Sequence, residues 1–322
     1  MRKTLKIIIP TLLLAAGVTV CVIRWQAWFG MPDEPQWTGD TLSYVFPTFV
    51  QDSVPGFVRT AEGWQDTITP DTLNLLVLGD VHNCLQHDDY DTLAARVPQA
   101  DAVIQVGDWL DRGYFYYHQL LLREWTKSAL MGLPVINCPG NHEYNKSLKR
   151  ELAPQWNEWF PQTNSSTVPG IFYYVDFPQA RFIVLDTNPL VRLVYMTRAI
   201  TWLRGAINSA DGRFVIVVMH HPVLSAGKGR FNPAVYASFR LILQEADLVL
   251  AGHDHSYMRS MPFVVLNTAG KTKEQKEKLS AEHLTTEPVY SLITFGNDSS
   301  FLFRTYQLSD GALIDSVYVS HH

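Results

Sequence analysis

The residues best suited to chemistry in this chain stand in five short motifs, and each motif directly follows an apolar run. In chain order the motifs are G-D-V-H (79–82), G-D-W-L-D-R-G (107–113), C-P-G-N-H-E (138–143), H-H-P (220–222) and G-H-D-H (252–255). A single motif of this kind is usually a turn, because Asp, Asn and Gly readily satisfy turn geometry. Five such motifs would bury many polar groups at a considerable cost in free energy, which a pair of bound metal ions would offset.

The ligand types in these motifs indicate transition metals. Mixed carboxylate and imidazole groups suit Zn, Fe or Mn, whereas Ca and Mg prefer shells made only of oxygen. Alternate side chains of an extended chain point the same way, so Asp80 with His82, and His253 with His255, can each direct two ligands into one site. Two metals about 3.5–4 Å apart form a clamp for in-line phosphoryl transfer, and Asp108 is the natural carboxylate to bridge them.

The elements that must position these motifs are short strands and helices in alternation. Short apolar runs rich in β-branched residues predict strands buried on both faces. These runs are Leu73–Leu78, Ala102–Val106, Pro134–Asn137, Phe182–Leu185, Phe214–Met219 and Leu248–Ala251. Helical spacing predicts helices over Tyr90–Val97, Tyr116–Leu130, Thr197–Ile207 and Val235–Gln244. Alternating strands and helices predict an α/β fold, whose ligands bind at the carboxyl ends of the strands.

The last part of the chain, 263–319, follows a different pattern. Tyr290–Phe295, Phe301–Gln307 and Ala312–Val319 predict antiparallel strands, and Lys271–Lys278 predicts an exposed charged loop or helix. An α/β core extended by antiparallel strands predicts two sheets in a layered sandwich. We therefore expect one catalytic domain over 73–322, with its core motifs between 79 and 258.

The first thirty residues predict an N-terminal membrane anchor or a signal segment. Three basic residues precede an apolar run, Ile7–Ile23, that is at the short end of what spans a bilayer and longer than a typical signal core. The charge distribution places the rest of the chain on the extracytoplasmic side, periplasmic or extracellular. Secretion after signal cleavage is the alternative. Residues 31–72 contain several prolines and predict a tether and an irregular lead-in.

Composition excludes some classes of protein. The chain has 322 residues, of which 47% are hydrophobic and 18% charged, and this is enough for a sizeable core. Its formal net charge of −5 argues against a general nucleic-acid binder, which usually has a basic excess. Three cysteines are too few for a disulfide scaffold. Cys84 and Cys138 could form one disulfide or remain two small buried thiols.

The order of the motifs, D-x-H, G-D-x-x-D-R-G, G-N-H-E, H-x-P and G-H-x-H, resembles the calcineurin-like metallophosphoesterase superfamily over about residues 73 to 260. This resemblance implies a four-layer αββα sandwich of two mixed β-sheets flanked by helices. It also implies a metal-dependent phosphoesterase that hydrolyses phosphate esters by attack of a dinuclear metal-bound hydroxide. Two transition-metal ions, Zn, Fe or Mn, are the implied cofactors.

The resemblance also assigns metal ligands residue by residue. The ligands divide between two metals that share one carboxylate. One metal would take Asp80, His82 and His255, the other Asn141, His220 and His253, with Asp108 bridging both. The family pattern is His-x-Pro, so His220 is the expected ligand, and His221 would lie on the opposite face or outside the ligand shell. Asp254 would point away between the two histidines that flank it.

Three further residues take catalytic roles in this resemblance. His142 would contact the phosphate and protonate the leaving oxygen, with Asp111 orienting it. Arg112 resembles the phosphate-binding arginine of phosphoprotein phosphatases, since a planar guanidinium can hold two oxygens. Purple acid phosphatases carry a tyrosine ligand three residues after the bridging aspartate, where this chain has Asp111. A ferric–tyrosine centre is therefore not expected.

The substrate class is the part that the motifs define least. Arg112 and the Asp111–His142 pair favour phosphomonoesters, carried by a small molecule or a protein. A phosphodiester, a nucleotide or a phospholipid-like headgroup is the alternative on the same metal centre. An inactive binding protein with this fold would be expected to lack a ligand, and every ligand position is filled.

Overall fold

The computed structural model describes residues 34–47, 57–60, 63–66, 72–144, 152–160, 172–189, 193–227, 232–268, 281–296 and 299–321. The predicted anchor or signal segment, 1–30, and the charged segment Lys271–Lys278 lie outside these residues. No helix among the described residues is long and apolar enough to cross a membrane.

Strands and helices alternate through most of the chain, and antiparallel strands follow at its end. The strands are β1 (Phe57–Thr60), β2 (Gly63–Asp66), β3 (Leu73–Leu78), β4 (Ala102–Gln105), β5 (Val135–Asn137), β6 (Phe172–Asp176), β7 (Ala180–Leu185), β8 (Phe214–Met219), β9 (Leu248–Ala251), β10 (Tyr257–Ser260), β11 (Phe263–Val265), β12 (His283–Thr285), β13 (Val289–Phe295), β14 (Ser300–Gln307) and β15 (Leu313–Ser320). The helices are α1 (His87–Arg96), α2 (Phe115–Trp125), α3 (Pro154–Trp159), α4 (Leu193–Asn208) and α5 (Pro233–Leu243).

The strands form two mixed sheets and one separate hairpin, β1–β2. The six-stranded sheet has the order β15-β14-β13-β3-β4-β5, in which β3, β4 and β5 are parallel and the C-terminal strands are antiparallel. The seven-stranded sheet has the order β12-β10-β11-β9-β8-β7-β6, in which β11, β9, β8 and β7 are parallel. The predicted fold class, α/β with two mixed sheets, is confirmed.

The apolar runs explain why these strands are stacked in layers. β7 and β8 are buried along their whole length, so both of their faces need a partner layer. Phe182 and Val184 of β7 pack into the core between the sheets, where the Phe182 and Phe295 rings are 6.2 Å apart. The alternate residues, Ile183 and Leu185, pack into the core that includes residues of α4 and α5. Each such buried side chain stabilises the fold by about 1.5–3 kcal/mol.

The predicted helices are present with shifted ends. The helix predicted to reach Leu130 ends at Trp125, so that boundary was wrong by five residues. The Thr126 hydroxyl bonds the Leu122 carbonyl at 2.7 Å, and tight turns follow. Such hydroxyl contacts compete with helix continuation. Cys84 and Cys138 form no disulfide with each other, and since Cys84 is exposed while Cys138 is buried, the alternative of two buried thiols is wrong for Cys84.

Part of the predicted lead-in, 31–72, packs into the domain. The Phe46 side chain is fully buried, and its ring stacks on Phe160 with centroids 4.9 Å apart. The Phe46 amide donates to the Trp159 carbonyl at 3.2 Å, and Pro47 accepts a hydrogen bond from the Val135 amide of β5 at 2.8 Å. These contacts tie the lead-in to the edge of the six-stranded sheet.

Candidate metal centre

The five motifs meet where the carboxyl ends of β3, β4 and β5 face those of β8 and β9. At these ends several candidate ligands adopt left-handed backbone conformations. They are Asp80 (φ 51°), His82 (50°), Asp108 (53°), His253 (73°) and His255 (56°). Only a few per cent of non-glycine residues adopt positive φ, and such strain is concentrated at functional sites. The backbone therefore turns abruptly here, so the extended conformation predicted for Asp80–His82 and His253–His255 is wrong, and left-handed turns direct these side chains.

Glycines allow the strand ends to approach one another closely. A Cβ on Gly107, whose φ is +100°, would stand 2.5 Å from the His220 Nδ1 atom. A Cβ on Gly140 would stand 2.2 Å from the Asp108 Oδ1 atom. A side chain at either position would displace a candidate ligand, which explains the glycines in these two motifs.

The first group of candidate ligands, which we call cluster 1, is Asp80, His82, Asp108 and His255. All four are buried, and their ligand atoms lie within 4.8 Å of one another. The His82 Nε2 atom is 3.8 Å from Asp80 Oδ1, 3.7 Å from Asp108 Oδ2 and 3.3 Å from His255 Nε2. Ligands about 2.0–2.2 Å from a common ion are spaced in this way. Asp80 Oδ1 is buried without a hydrogen-bond partner, so the donor set fits a cation.

The second group, cluster 2, contains Asn141, His220 and His253 and shares Asp108. The His220 Nε2 atom is 3.3 Å from Asn141 Oδ1 and 3.3 Å from Asp108 Oδ2. The other ring nitrogen, Nδ1, faces the Val106 carbonyl at 3.0 Å. That contact favours a proton on Nδ1 and leaves Nε2 available to a metal.

The structure thus brings all seven predicted ligands together, with Asp108 next to both clusters. His221 lies beside them: a ring nitrogen of His221 is within 4.8 Å of ring nitrogens of His220 and His253. Its ring centroid is 4.6 Å from that of His253. Of the two places that the sequence left open for His221, the one on the opposite face is therefore wrong.

His142 lies at the edge of the centre, with its Nε2 atom 3.9 Å from Asp108 Oδ2. Its Nδ1 atom contacts the main-chain carbonyl of Asp111. We predicted this contact for the Asp111 carboxylate, which instead lies 4.0 Å from His82 Nδ1 and 3.9 Å from Arg112 Nε. The Asp111 amide donates to Asn83 Oδ1 at 2.7 Å and anchors this turn, in which the Asp111 carbonyl, not the carboxylate, faces His142.

Glu143 is a structural residue of the site to which sequence reasoning gave no role. Its buried carboxylate accepts hydrogen bonds from the amides of Asp108 (2.9 Å), Leu110 (2.9 Å) and Gly140 (2.6 Å). Burial, followed by the charge of Asp108, raises the pKa of Glu143 to about 7. The carboxylate directly after Gly-Asn-His was the sequence signal for this role. It bonds the turns after β4 and β5 and so holds them together.

Asp254 holds the loop after His-His-Pro. It is fully buried and accepts hydrogen bonds from Ser225 Oγ (2.9 Å) and from the amides of Ala226 (2.6 Å) and Gly227 (3.0 Å). Its carboxylate therefore stabilises this loop, while the histidines on either side of it are candidate ligands of the two clusters.

The polar segment Asp186-Thr187-Asn188 directly follows β7 and also supports the site. We predicted no role for it from the sequence. Asn188 Nδ2 donates to the carbonyl of Pro139 at 3.1 Å, and the Tyr144 hydroxyl contacts Asp186. Thr187 Oγ1 is 2.7 Å from His221 Nδ1. The sequence signal was a polar triplet directly after a core strand, as in the other five motifs.

The charges in the site favour a bound cation. Burial raises the pKa of Asp80 well above its usual range. Burial also acts to raise the pKa of Asp108, but neighbouring imidazoles, His220 first, hold it well below its usual range. For His220, burial acts to lower the pKa, and the carboxylates, Asp108 first, outweigh it and raise the pKa to about 9. Without a metal, the protonated imidazole of His220 therefore balances the Asp108 carboxylate.

The comparison with protein families agrees with this geometry. Residues 73–257, more than half of the chain, match the family model of the calcineurin-like phosphoesterases. The chain belongs to the calcineurin-like phosphoesterase family. In this chain the clustered imidazoles and carboxylates have the composition of a two-metal site. The recognition made from the order of the motifs is confirmed.

Known relatives of this calcineurin-like phosphoesterase cover more than one activity. It is 28% identical over 149 residues to the "Probable glycerophosphodiester phosphodiesterase GpdQ" of Arcobacter nitrofigilis, covering 46% of this chain and 49% of that protein. It is 28% identical over 178 residues to "Purple acid phosphatase 3" of Arabidopsis thaliana, covering 48% of each. The chain thus spans about half the length of the curated relatives it matches.

A solved structure shows the same fold. The purple acid phosphatase PPD1 from yellow lupin (Lupinus luteus) seeds aligns with a TM-score of 0.63 and 15% identity. The alignment covers 84% of this chain and 61% of that one. At this identity the likeness concerns the fold alone, two mixed sheets with flanking helices.

Proposed function

We propose that this protein is a two-metal phosphomonoesterase. The observation that carries the proposal is the position of Asp108 Oδ2, 3.7 Å from His82 Nε2 in cluster 1 and 3.3 Å from His220 Nε2 in cluster 2. One carboxylate is thus available to two adjacent metals. When bound, the ions would act as Lewis acids and activate water as the nucleophile. Zn, Fe and Mn all suit this ligand set.

His142 is the proposed acid for the leaving group. Its Nδ1 atom faces the Asp111 carbonyl, so an N–H at that position is held there. The protonated imidazole then presents its second proton on Nε2, on the side of Asp108. That proton would pass to the leaving oxygen, and the carbonyl contact would stabilise the charged ring before the transfer.

Arg112 is the residue that favours monoesters over diesters. Its guanidinium is about one-third exposed and lies 3.9 Å from the Asp111 carboxylate, which in turn lies 4.0 Å from His82 of cluster 1. A guanidinium can hold two phosphate oxygens at once. A monoester carries one more negative charge than a diester at neutral pH and therefore gains more from this contact.

Phosphodiester hydrolysis is the second candidate, because one relative is named as a probable glycerophosphodiester phosphodiesterase. The full-length protein, loaded in turn with Zn, Mn or Fe, should be assayed on p-nitrophenyl phosphate and bis(p-nitrophenyl) phosphate. We expect kcat/KM for the monoester to be at least about tenfold higher, the gain from one additional charge-assisted contact.

Substitution at Arg112 separates the two candidates further. Arg112→Ala should reduce kcat/KM for the monoester about a hundredfold and for the diester much less, since only the monoester uses the full charge of the guanidinium. Arg123→Ala, in α2 and paired with Glu124, is the control for loss of a surface arginine. Preference for the diester, together with equal losses on both esters in Arg112→Ala, would favour the phosphodiesterase.

We further propose that the catalytic domain lies on the extracytoplasmic side of a membrane and meets phosphorylated small molecules or proteins there. The support is the basic start of the chain and the apolar run Ile7–Ile23. Fractionation and protease accessibility in intact cells test the location, and N-terminal sequencing tests signal cleavage. Recovery of the intact chain in the cytosolic fraction would contradict the proposal. Removal of residues 1–30 should release a soluble and active protein.

A further inference from the structure

We propose that His221 is a phosphate-contacting residue of cluster 2, which donates a hydrogen bond from its Nε2 atom, and that Thr187 sets the tautomer that allows this. The inference rests on the proposed function, because it assumes that a phosphate group occupies the space next to the clusters. It assigns a role to the second histidine of His-His-Pro, which is not among the predicted ligands.

The position of His221 is the first support. Its ring centroid lies 4.6 Å from that of His253 and 5.1 Å from that of His220. It is half-buried, like His253, whereas His220 is completely buried. A side chain that is partly open to solvent and adjacent to two candidate ligands can reach a molecule bound at the metals.

The contacts of Thr187 are the second support. The buried Thr187 hydroxyl oxygen accepts a hydrogen bond from the His221 amide at 3.2 Å and lies 2.7 Å from His221 Nδ1. The hydroxyl has one proton to donate, and Nδ1 is the acceptor beside it. When Thr187 donates to Nδ1, the neutral imidazole carries its own proton on Nε2.

This arrangement differs from that of His220, the neighbouring ligand. In His220 a carbonyl accepts from Nδ1, which leaves Nε2 without a proton and suited to bind a metal. In His221 a hydroxyl can donate to Nδ1, which leaves Nε2 with a proton and suited to bind an anion. The hydrogen-bond partner of Nδ1 would thus set the role of each ring. His220 would bind a metal, and His221 would bind a phosphate oxygen.

Substitutions that imitate one ring nitrogen at a time test the role. The amide nitrogen of Gln in His221→Gln can occupy the place of Nε2, whereas His221→Asn can imitate only the Nδ1 position. The control is His87→Gln, which removes an imidazole at the start of α1 that pairs with Glu124. Each protein is loaded with Zn, and metal content, inorganic phosphate binding and monoester kinetics are measured.

We expect every variant to retain the metal content of the wild type. His221→Asn should weaken inorganic phosphate binding and raise KM by about tenfold or more, the contribution of one hydrogen bond to a charged group, with a smaller change in kcat. His221→Gln should recover most of this loss. Metal loss in both His221 variants would instead make His221 a ligand and overturn the proposal, as would equal losses in Gln and Asn.

The tautomer is tested without any activity measurement. Ring ¹⁵N chemical shifts of the Zn-loaded protein should show His221 neutral with its proton on Nε2. Thr187→Val should abolish this preference, and Thr187→Ser should keep it. A proton on Nδ1 in the wild type would overturn the assignment. If the wild type binds phosphate through His221 but hydrolyses neither ester, the proposed function fails while this inference stands.

Discussion

Cluster 1 and cluster 2 share Asp108 but differ in charge and in exposure. In cluster 1 two carboxylates and two imidazoles are all buried. Cluster 2 has no carboxylate of its own and relies on Asn141, His220 and His253, of which only His220 is fully buried. More anionic, more enclosed ligands bind a cation more tightly. The difference predicts a firmly held ion in cluster 1 and a more exchangeable ion in cluster 2.

The largest effect is expected from the residue that the two clusters share. Asp108→Asn keeps the size of the side chain but removes the charge needed by both ions. We expect kcat/KM to fall about a thousandfold, equivalent to about 4 kcal/mol of lost transition-state stabilisation, and both metals to be depleted. Elemental analysis and kinetics measure this. Asp315→Asn, which removes a buried carboxylate bound to Tyr257 and Arg259, is the control. Retention of both metals would show that Asp108 does not bridge.

His142→Ala should impair turnover with both clusters intact. The predicted fall in kcat is about 10²–10³-fold, typical of the loss of a general acid. Metal content should stay at the wild-type level, because His142 belongs to neither set of ligands. The loss should be smaller for substrates with a good leaving group, such as p-nitrophenol, than for alkyl phosphates. Depletion of metal in this variant would make His142 a ligand.

Removal of the metals should distinguish the clusters directly. Titration of the loaded protein with a chelator should release the two ions in separate steps, with affinities at least about tenfold apart because cluster 1 has the higher ligand charge. Activity should disappear with the first ion released. Asp80→Asn lowers the charge of cluster 1 and should bring the two steps together. Simultaneous release from the wild type would contradict the difference between the clusters.

The smallest effect is expected from Asp254, which supports the loop beside cluster 2. Asp254→Asn disturbs three hydrogen bonds to residues 225–227 and replaces no predicted ligand. We expect the more exchangeable ion to bind about tenfold more weakly, as is usual for residues that orient metal ligands. The same chelator titration measures this, and the tighter ion should be unaffected. Asp315→Asn again serves as the control.

Much of the site was predictable because its residues stand close in the sequence to the ends of predictable strands. Asp80, Asp108 and His220 each stand within three residues of the end of a buried strand, so the apolar pattern that predicts the strand also places the motif. The orientation of His142 was not predictable. Its partner is the carbonyl of Asp111, in a turn whose amide is bonded by Asn83, 28 residues earlier in the chain than Asp111.

The fold shows the same division. β3, β8 and β9 were predicted with their observed boundaries, because strands buried on both faces are continuous apolar runs. Short edge strands such as β12, which is only half-buried, were missed because their residues carry no such pattern. Their pairing depends on neighbours that arrive from elsewhere in the chain.

The sequence alone determined the family, the α/β class and the set of chemical groups at the strand ends, since hydrophobic periodicity and motif order are local properties. Only the tertiary structure decided which atoms meet. It placed Asp108 between the two clusters, used the Glu143 carboxylate to hold two turns, and brought Thr187 to His221. The reason is that a hydrogen bond forms only when its donor and acceptor are within a few tenths of an ångström of the right distance. Packing between segments that are distant in the chain sets that distance.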